Sequence, residues 1–200
     1  MESKILKIIT VTFILIAGCA QETVNIDTMH DEGKPVMALD YRDFDQAASK
    51  LVQSMLASGA LKKEGGGRYI VATGRIVNDT MQRIDTNQLM VKIETEILNS
   101  GQAVMTSAVG DGTDRLIHET RELRYSEEFD ANSVAARRTL LAPELSISGK
   151  IFQRNIRYSK NRQQVEYYFQ LKLSNVVSGL RYWQDEVLIG KRGSIKSVSW

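Results

Sequence analysis

The sequence predicts one α/β domain, α+β-like in its layout, with a mixed sheet covered by helices and closed by a C-terminal antiparallel meander. Three observations predict it. Apolar residues recur at three- and four-residue spacing over residues 41–55 and 89–97, the mark of amphipathic helices. Short apolar runs of strand length, 69–72 and 103–109, alternate with them, and that order lays helices over a sheet. From Leu145 onward the apolar period falls to two, as in half-buried strands.

The chain opens with a leader. Lys4 and Lys7 flank the start of an apolar run, 8–16, and small Ala17 and Gly18 precede Cys19, the one cysteine of the protein. A secretory signal peptide has this layout, with an apolar region of about 7–15 residues; a spanning helix needs about 20. Leu15-Ile16-Ala17-Gly18-Cys19 resembles the lipobox of bacterial lipoproteins, in which the cysteine is acylated and becomes the first residue of the mature chain. Residues 1–18 are therefore read as signal peptide, Cys19 as the lipidation site and 20–38 as a flexible tether broken by Gly33 and Pro35. Ala20 stands where aspartate retains many Gram-negative lipoproteins at the inner membrane. The expected location is thus the periplasmic face of the outer membrane.

Composition narrows the partners. Removing residues 1–18 takes the net charge from +2 to about +1. Nucleic acid or an anionic surface would require a concentrated basic footprint, so neither is expected as the main partner. With Cys19 lipidated, no disulfide can brace the domain, which must stand on its core.

The globular part is expected over 39–189, with 190–200 as a C-terminal tail. Phe44, Ala48, Leu51, Val52 and Met55 line one helix face, with Asp40 or Asp43 as cap and Gly59 at its end. Gly65-Gly66-Gly67 marks a loop, and 69–77 a buried strand. A second helix is placed over 86–99, capped by Asp85 or Thr86 and ended by Gly101. A short strand follows over 103–109, closed by the turn Gly110-Asp111-Gly112. Leu116, Leu123, Phe129 and Val134 are spaced for a third helix across 115–138. In the first meander strand the apolar phase moves from Leu145, Ile147 and Ile151 to Phe152 and Ile156, which reads as a bulge near Gly149. Val165, Tyr167, Phe169, Leu171 and Leu173 then alternate inward with Tyr168 outward, and 180–189 offers the last strand.

Few groups are suited to catalysis. His118-Glu119 lacks a second histidine four residues on, the glycine triplet lacks the Lys-Ser/Thr ending of a phosphate loop, and no Gly-x-Ser-x-Gly elbow occurs. Asp111 and Asp114 gather too few oxygens for a calcium loop. The chain is read as a non-enzyme with no cofactor, no metal and no small-molecule substrate. What remains is a binding surface. Asn78, Asp79 and Thr80 lie where a strand gives way to a loop; they serve either a partner or the capping of that loop. Arg154 and the outward Tyr168 are the other candidates for partner contact, a rigid aromatic being a common anchor.

Several segments carry a family likeness in their order and spacing: the lipobox, 41–55, Gly74-Arg75-Ile76-Val77-Asn78-Asp79-Thr80, and Ile84-Asp85-Thr86. Ser148-Gly149-Lys150-Ile151, 164–171 and Gly179-Leu180-Arg181-Tyr182-Trp183 complete the set. Over 37–200 the chain resembles the LpoB family of outer-membrane lipoproteins, whose domain is similar to the N-terminal domain of TolB and, more distantly, to CsgG. Asn78 and Thr80 match that family's Asn-x-Thr loop. The resemblance implies a lipid-anchored, non-enzymatic protein that binds and activates a class A penicillin-binding protein, a peptidoglycan synthase; the chain is expected to be a monomer. The alternative is a CsgG-like secretion or assembly lipoprotein that oligomerises. Against the pore stand Arg154, Arg157, Lys160 and Arg162, which oppose a lipid-facing hairpin. One departure from the family is the short tether with few prolines.

Overall fold

The computed structural model describes residues 25–28, 30 and 33–197. The expected signal peptide and Cys19 lie outside the described residues. The described residues up to Pro35 form one unit and those from Val36 on another. In the first, an imidazole nitrogen of His30 bonds the Asp27 carboxylate at 2.9 Å.

The domain has three helices and five strands: α1 (Tyr41–Ser58), β1 (Tyr69–Asp79), α2 (Asn87–Ser100), β2 (Ala103–Thr106), α3 (Arg115–Glu122), β3 (Leu145–Ser159), β4 (Arg162–Asn175) and β5 (Arg181–Ser194). One sheet runs in the order β2-β1-β3-β4-β5. β1 is parallel to both neighbours, and β3, β4 and β5 form the antiparallel meander. The sheet is therefore mixed, as the sequence predicts.

Local chemistry sets the helix ends. Asp40 accepts from the amides of Arg42 and Asp43, and Asp43 reaches back to the Asp40 amide at 2.8 Å, a reciprocal capping box. Gly59 ends α1 at φ 74° and Gly101 ends α2 at φ 68°, in the left-handed region glycine tolerates. For α2, the Asp85 carboxylate takes the Asn87 amide at 2.9 Å, and the Thr86 side chain caps nothing.

α1 and α2 pack on one face of the sheet. Leu51, Val52, Met55, Ile93 and Ile97 meet Leu145, Ile147, Ile151 and the five alternating residues of β4, from Val165 to Leu173. Phe44 meets Phe169 edge-on at 6.0 Å. Each such side chain contributes about 1.5–3 kcal/mol relative to its exposed state.

The structure corrects four expectations. The phase change in β3 is not a bulge: β3 and β4 pair without interruption from Leu145↔Asn175 to Arg157↔Gln163. The irregularity lies in β1, between Thr73 and Ile76, where Gly74-Arg75 interrupts pairing with β3. Phe152 simply belongs to the other face. Gly149 is needed because a Cβ there would sit 2.3 Å from the Gln170 carbonyl oxygen. Second, the third helix stops at Glu122, and after one 3-10 turn (Leu123–Tyr125) the chain is irregular to Leu145. None of its residues is buried, so its periodic apolar residues have no core to dock on. Third, β2 ends at Thr106 rather than 109. Fourth, β5 runs to Ser194, five residues past the expected end, because the first residues of β4 take 190–194 as pairing partners.

Candidate functional site

Strand alternation creates the site. The residues of β3, β4 and β5 that lie between core positions face away from α1 and α2, and neither of those helices covers them. One row across this open face is apolar: Phe152 lies opposite Tyr168, and Tyr168 opposite Leu188. The Phe152 and Tyr168 rings stack at 4.6 Å with planes 1° apart. Leu188 is 51% exposed, and Val77 of β1, 46% exposed, lies one row away.

Charged and amide groups frame the row. Lys150 lies 5.6 Å from the Phe152 ring centroid and pairs with Asp79. Beyond it, the Gln170 side chain donates to Glu186 at 2.7 Å. On the other side Arg154 faces Glu166 in register. Glu166 accepts from the Tyr168 hydroxyl at 2.7 Å and from the Gln164 amide at 2.6 Å. These two bonds, with the Arg154 charge, hold the Glu166 carboxyl below its ordinary range against some burial. The same bond to Glu166, then burial, raises the Tyr168 hydroxyl. Arg192 donates from Nε to Gln164 at 2.6 Å and lies over the Tyr158 ring. A cleft of about 680 Å³ adjoins this area between Val77, Lys150, Gln170, Lys172, Gln184 and Glu186. An apolar, aromatic centre inside a hydrogen-bonded charged rim is the anatomy of a protein–protein interface.

The five contact candidates divide. Asp79, Arg154 and Tyr168 come together on the open face. Asn78 and Thr80 are turned to loop building: Asn78 Oδ1 accepts from the Thr80 amide and hydroxyl, and Asn78 Nδ2 donates to the Gln82 carbonyl at 2.8 Å. The Thr80 hydroxyl also accepts from the Gln82 amide at 3.1 Å. This Asn-x-Thr loop holds Gln82, 6% exposed, where its side-chain amide donates to the Tyr167 hydroxyl at 2.5 Å. Burial pushes that hydroxyl up to about 12, the Gln82 bond opposing and Asp43 adding.

Sequence reading missed Phe152, Gln82 and Lys191. Phe152 carries a signal, the apolar phase change that on its own reads as a bulge. Lys191 continues the inward alternation of Val187 and Ile189. Gln82 had no signal, since only the loop directs it inward.

His118 is exposed on α3, and its Nε2 lies 2.7 Å from the Ala108 carbonyl oxygen. Among the described residues no three His, Cys, Asp or Glu side chains gather to hold a metal ion. No helix of the described residues is long and apolar enough to cross a membrane.

Solved structures resemble this one at low identity. The LpoB C-terminal domain from Salmonella enterica matches at 13% identity and TM-score 0.42, over 74% of this chain and 98% of that one. The LpoB C-terminal domain from Escherichia coli matches at 11% identity and TM-score 0.41, with the same coverage. The lipoprotein GNA1162 from Neisseria meningitidis matches at 10% identity and TM-score 0.33, over 66% of this chain and 87% of that one. No curated protein matches the sequence. The family model described as peptidoglycan-synthase activator LpoB matches residues 43–189, from the first turn of α1 to the middle of β5, and this chain belongs to that family.

Proposed function

We propose that the chain is a lipid-anchored periplasmic activator of a class A penicillin-binding protein, held at the outer membrane through Cys19 and docking by the open face of its sheet. Membership of a family of peptidoglycan-synthase activators carries the activator role. The stacked Phe152–Tyr168 row with Leu188 supports the location of the contact, and Asp79, Arg154 and Tyr168 are assigned to it. Asn78 and Thr80 act indirectly, through the loop they close.

The lipobox sequence supports the anchor. A single acyl chain attaches only marginally, and two or more attach stably. Met37 is buried in the domain, so on this reading the tether ends at residue 36 rather than 38. At about 3.4 Å per residue it spans at most about 58 Å, and as a flexible chain on the order of 25 Å. The synthase therefore has to extend most of the way towards the anchored domain.

The experiment is a glycan-polymerisation assay of a purified class A penicillin-binding protein with and without residues 20–200. A raised rate together with a measurable complex is expected. A correctly folded chain that neither binds the synthase nor accelerates it would sink the proposal. In cells, Cys19→Ser is expected to release the protein from the membrane fraction without unfolding the domain.

A further inference from the structure

The domain grips the stretch of chain that leads into it. Residues 37–39 belong to no helix or strand, yet each is held by a different element. Met37 is 8% exposed, and its sulfur fills the space over Gly193, where a Cβ would come within 2.6 Å of it. The Met37 carbonyl accepts from the Tyr167 hydroxyl of β4 at 2.9 Å. The Ala38 carbonyl accepts from Lys191 Nζ of β5 at 2.6 Å. The Leu39 amide donates to Gln82 Oε1 at 3.1 Å, and Gln82 Nε2 donates in turn to Tyr167.

These polar groups are out of place in a core built only for stability. Leucine at 82 and phenylalanine at 167 would fill similar volume without burying amide and hydroxyl atoms that must then be paired. In this protein those atoms are directed at the backbone of 37–39 and at each other. Lys191 is held likewise: its side chain is 9% exposed and ion-paired with Asp43, while it still reaches Ala38. The Asn78–Thr80–Gln82 bonds serve the same end, since they specify where Gln82 stands.

We infer that Gln82, Tyr167 and Lys191 form an intramolecular binding site for residues 37–39, a clamp that sets the point at which the polypeptide leaves the domain. A pull applied to the chain before residue 36 is then borne by β4, β5 and the 78–82 loop before it reaches the first turn of α1. The clamp also explains why the Asn-x-Thr loop is built with mutual side-chain bonds while only part of it faces solvent.

Amide hydrogen exchange on the full chain tests this independently of any synthase. The Leu39 amide is expected to be protected, and Gln82→Leu to speed its exchange about fivefold, the equivalent of one net hydrogen bond. The Ile151 and Phe169 amides, in the middle of the sheet, are expected to keep their rates. Tyr167→Phe preserves the packing and removes only the hydroxyl, so it is expected to speed Leu39 severalfold and covers the case in which Gln82→Leu does not fold. Leu39 exchanging at the rate of an unprotected chain in the unaltered protein would overturn the clamp. So would a Leu39 rate that neither substitution changes, or sheet amides accelerated as much as Leu39, which would make Gln82 and Tyr167 ordinary core residues.

Discussion

Phe152→Ala separates a structural role of the open face from a binding role. Phe152 is half-buried, lying on the face that no packing helix covers, with Tyr168 as its stacking partner. A phenylalanine inside a packed core costs about 3–5 kcal/mol on truncation to alanine. Here solvent already reaches part of the ring, and the stack adds about 0.5–1.5 kcal/mol beyond area. The expected loss of domain stability is therefore about 1–2 kcal/mol, a melting temperature lower by roughly 2–8 °C for a domain of this size. A central interface anchor, by contrast, loses about 2 kcal/mol or more of binding on truncation, about 30-fold in affinity. The assay pairs urea unfolding, read through buried Trp183, with titration of a class A penicillin-binding protein. Tyr168→Phe keeps the ring, removes the bond to Glu166, and controls for the rim. An affinity that Phe152→Ala leaves unchanged would refute the docking face, and a core-sized loss of stability would refute the claim that this row is open.

Other expectations follow from packing and titration. Gly149→Ala drives a Cβ against the Gln170 carbonyl oxygen, and it is expected to destabilise by about 1–3 kcal/mol as overpacking does, checked by thermal melting. Burial alone would raise the Asp40 carboxyl, but its bond from Arg42 and the charges of Lys191 and Arg42 outweigh burial and leave it below its ordinary 3.8. Its contribution is thus present above pH 3.8 and lost as the pH falls below it, which urea midpoints at pH 7, 4 and 3 measure. At the alkaline end, Tyr167 is raised by burial from 10.0 to about 12, so its contribution is complete below pH 10 and declines towards pH 12. Tyr167→Phe is expected to remove that alkaline component from the same series of midpoints.

Much of the architecture was legible because it rests on local rules. The capping residue Asp40, the closing Gly59 and Gly101, and the inward alternation of β4 all lie within a few residues of the structure they create. Errors arose where the decisive contact is distant. At helical spacing after Glu122, Phe129 is exposed and Leu123 and Val134 are only half-buried, so spacing alone misleads there. Phe152 reads as a break in the pattern of β3 until Tyr168, sixteen positions later, is seen stacked on it. Asp79, Arg154 and Tyr168 could be nominated one at a time, yet only the sheet register shows them sharing a face.

By itself the sequence determined the segmentation of the domain: a helix-covered mixed sheet, a meander, and the family those segments resemble. Periodicity, caps and breakers are short-range physics, so they survive in one dimension. Tertiary structure alone decided which face of the meander stays open, that the irregularity lies in β1, and that Gln82, Tyr167 and Lys191 hold residues 37–39. Those bonds join residues 43, 130 and 153 positions apart, a separation that no local pattern encodes.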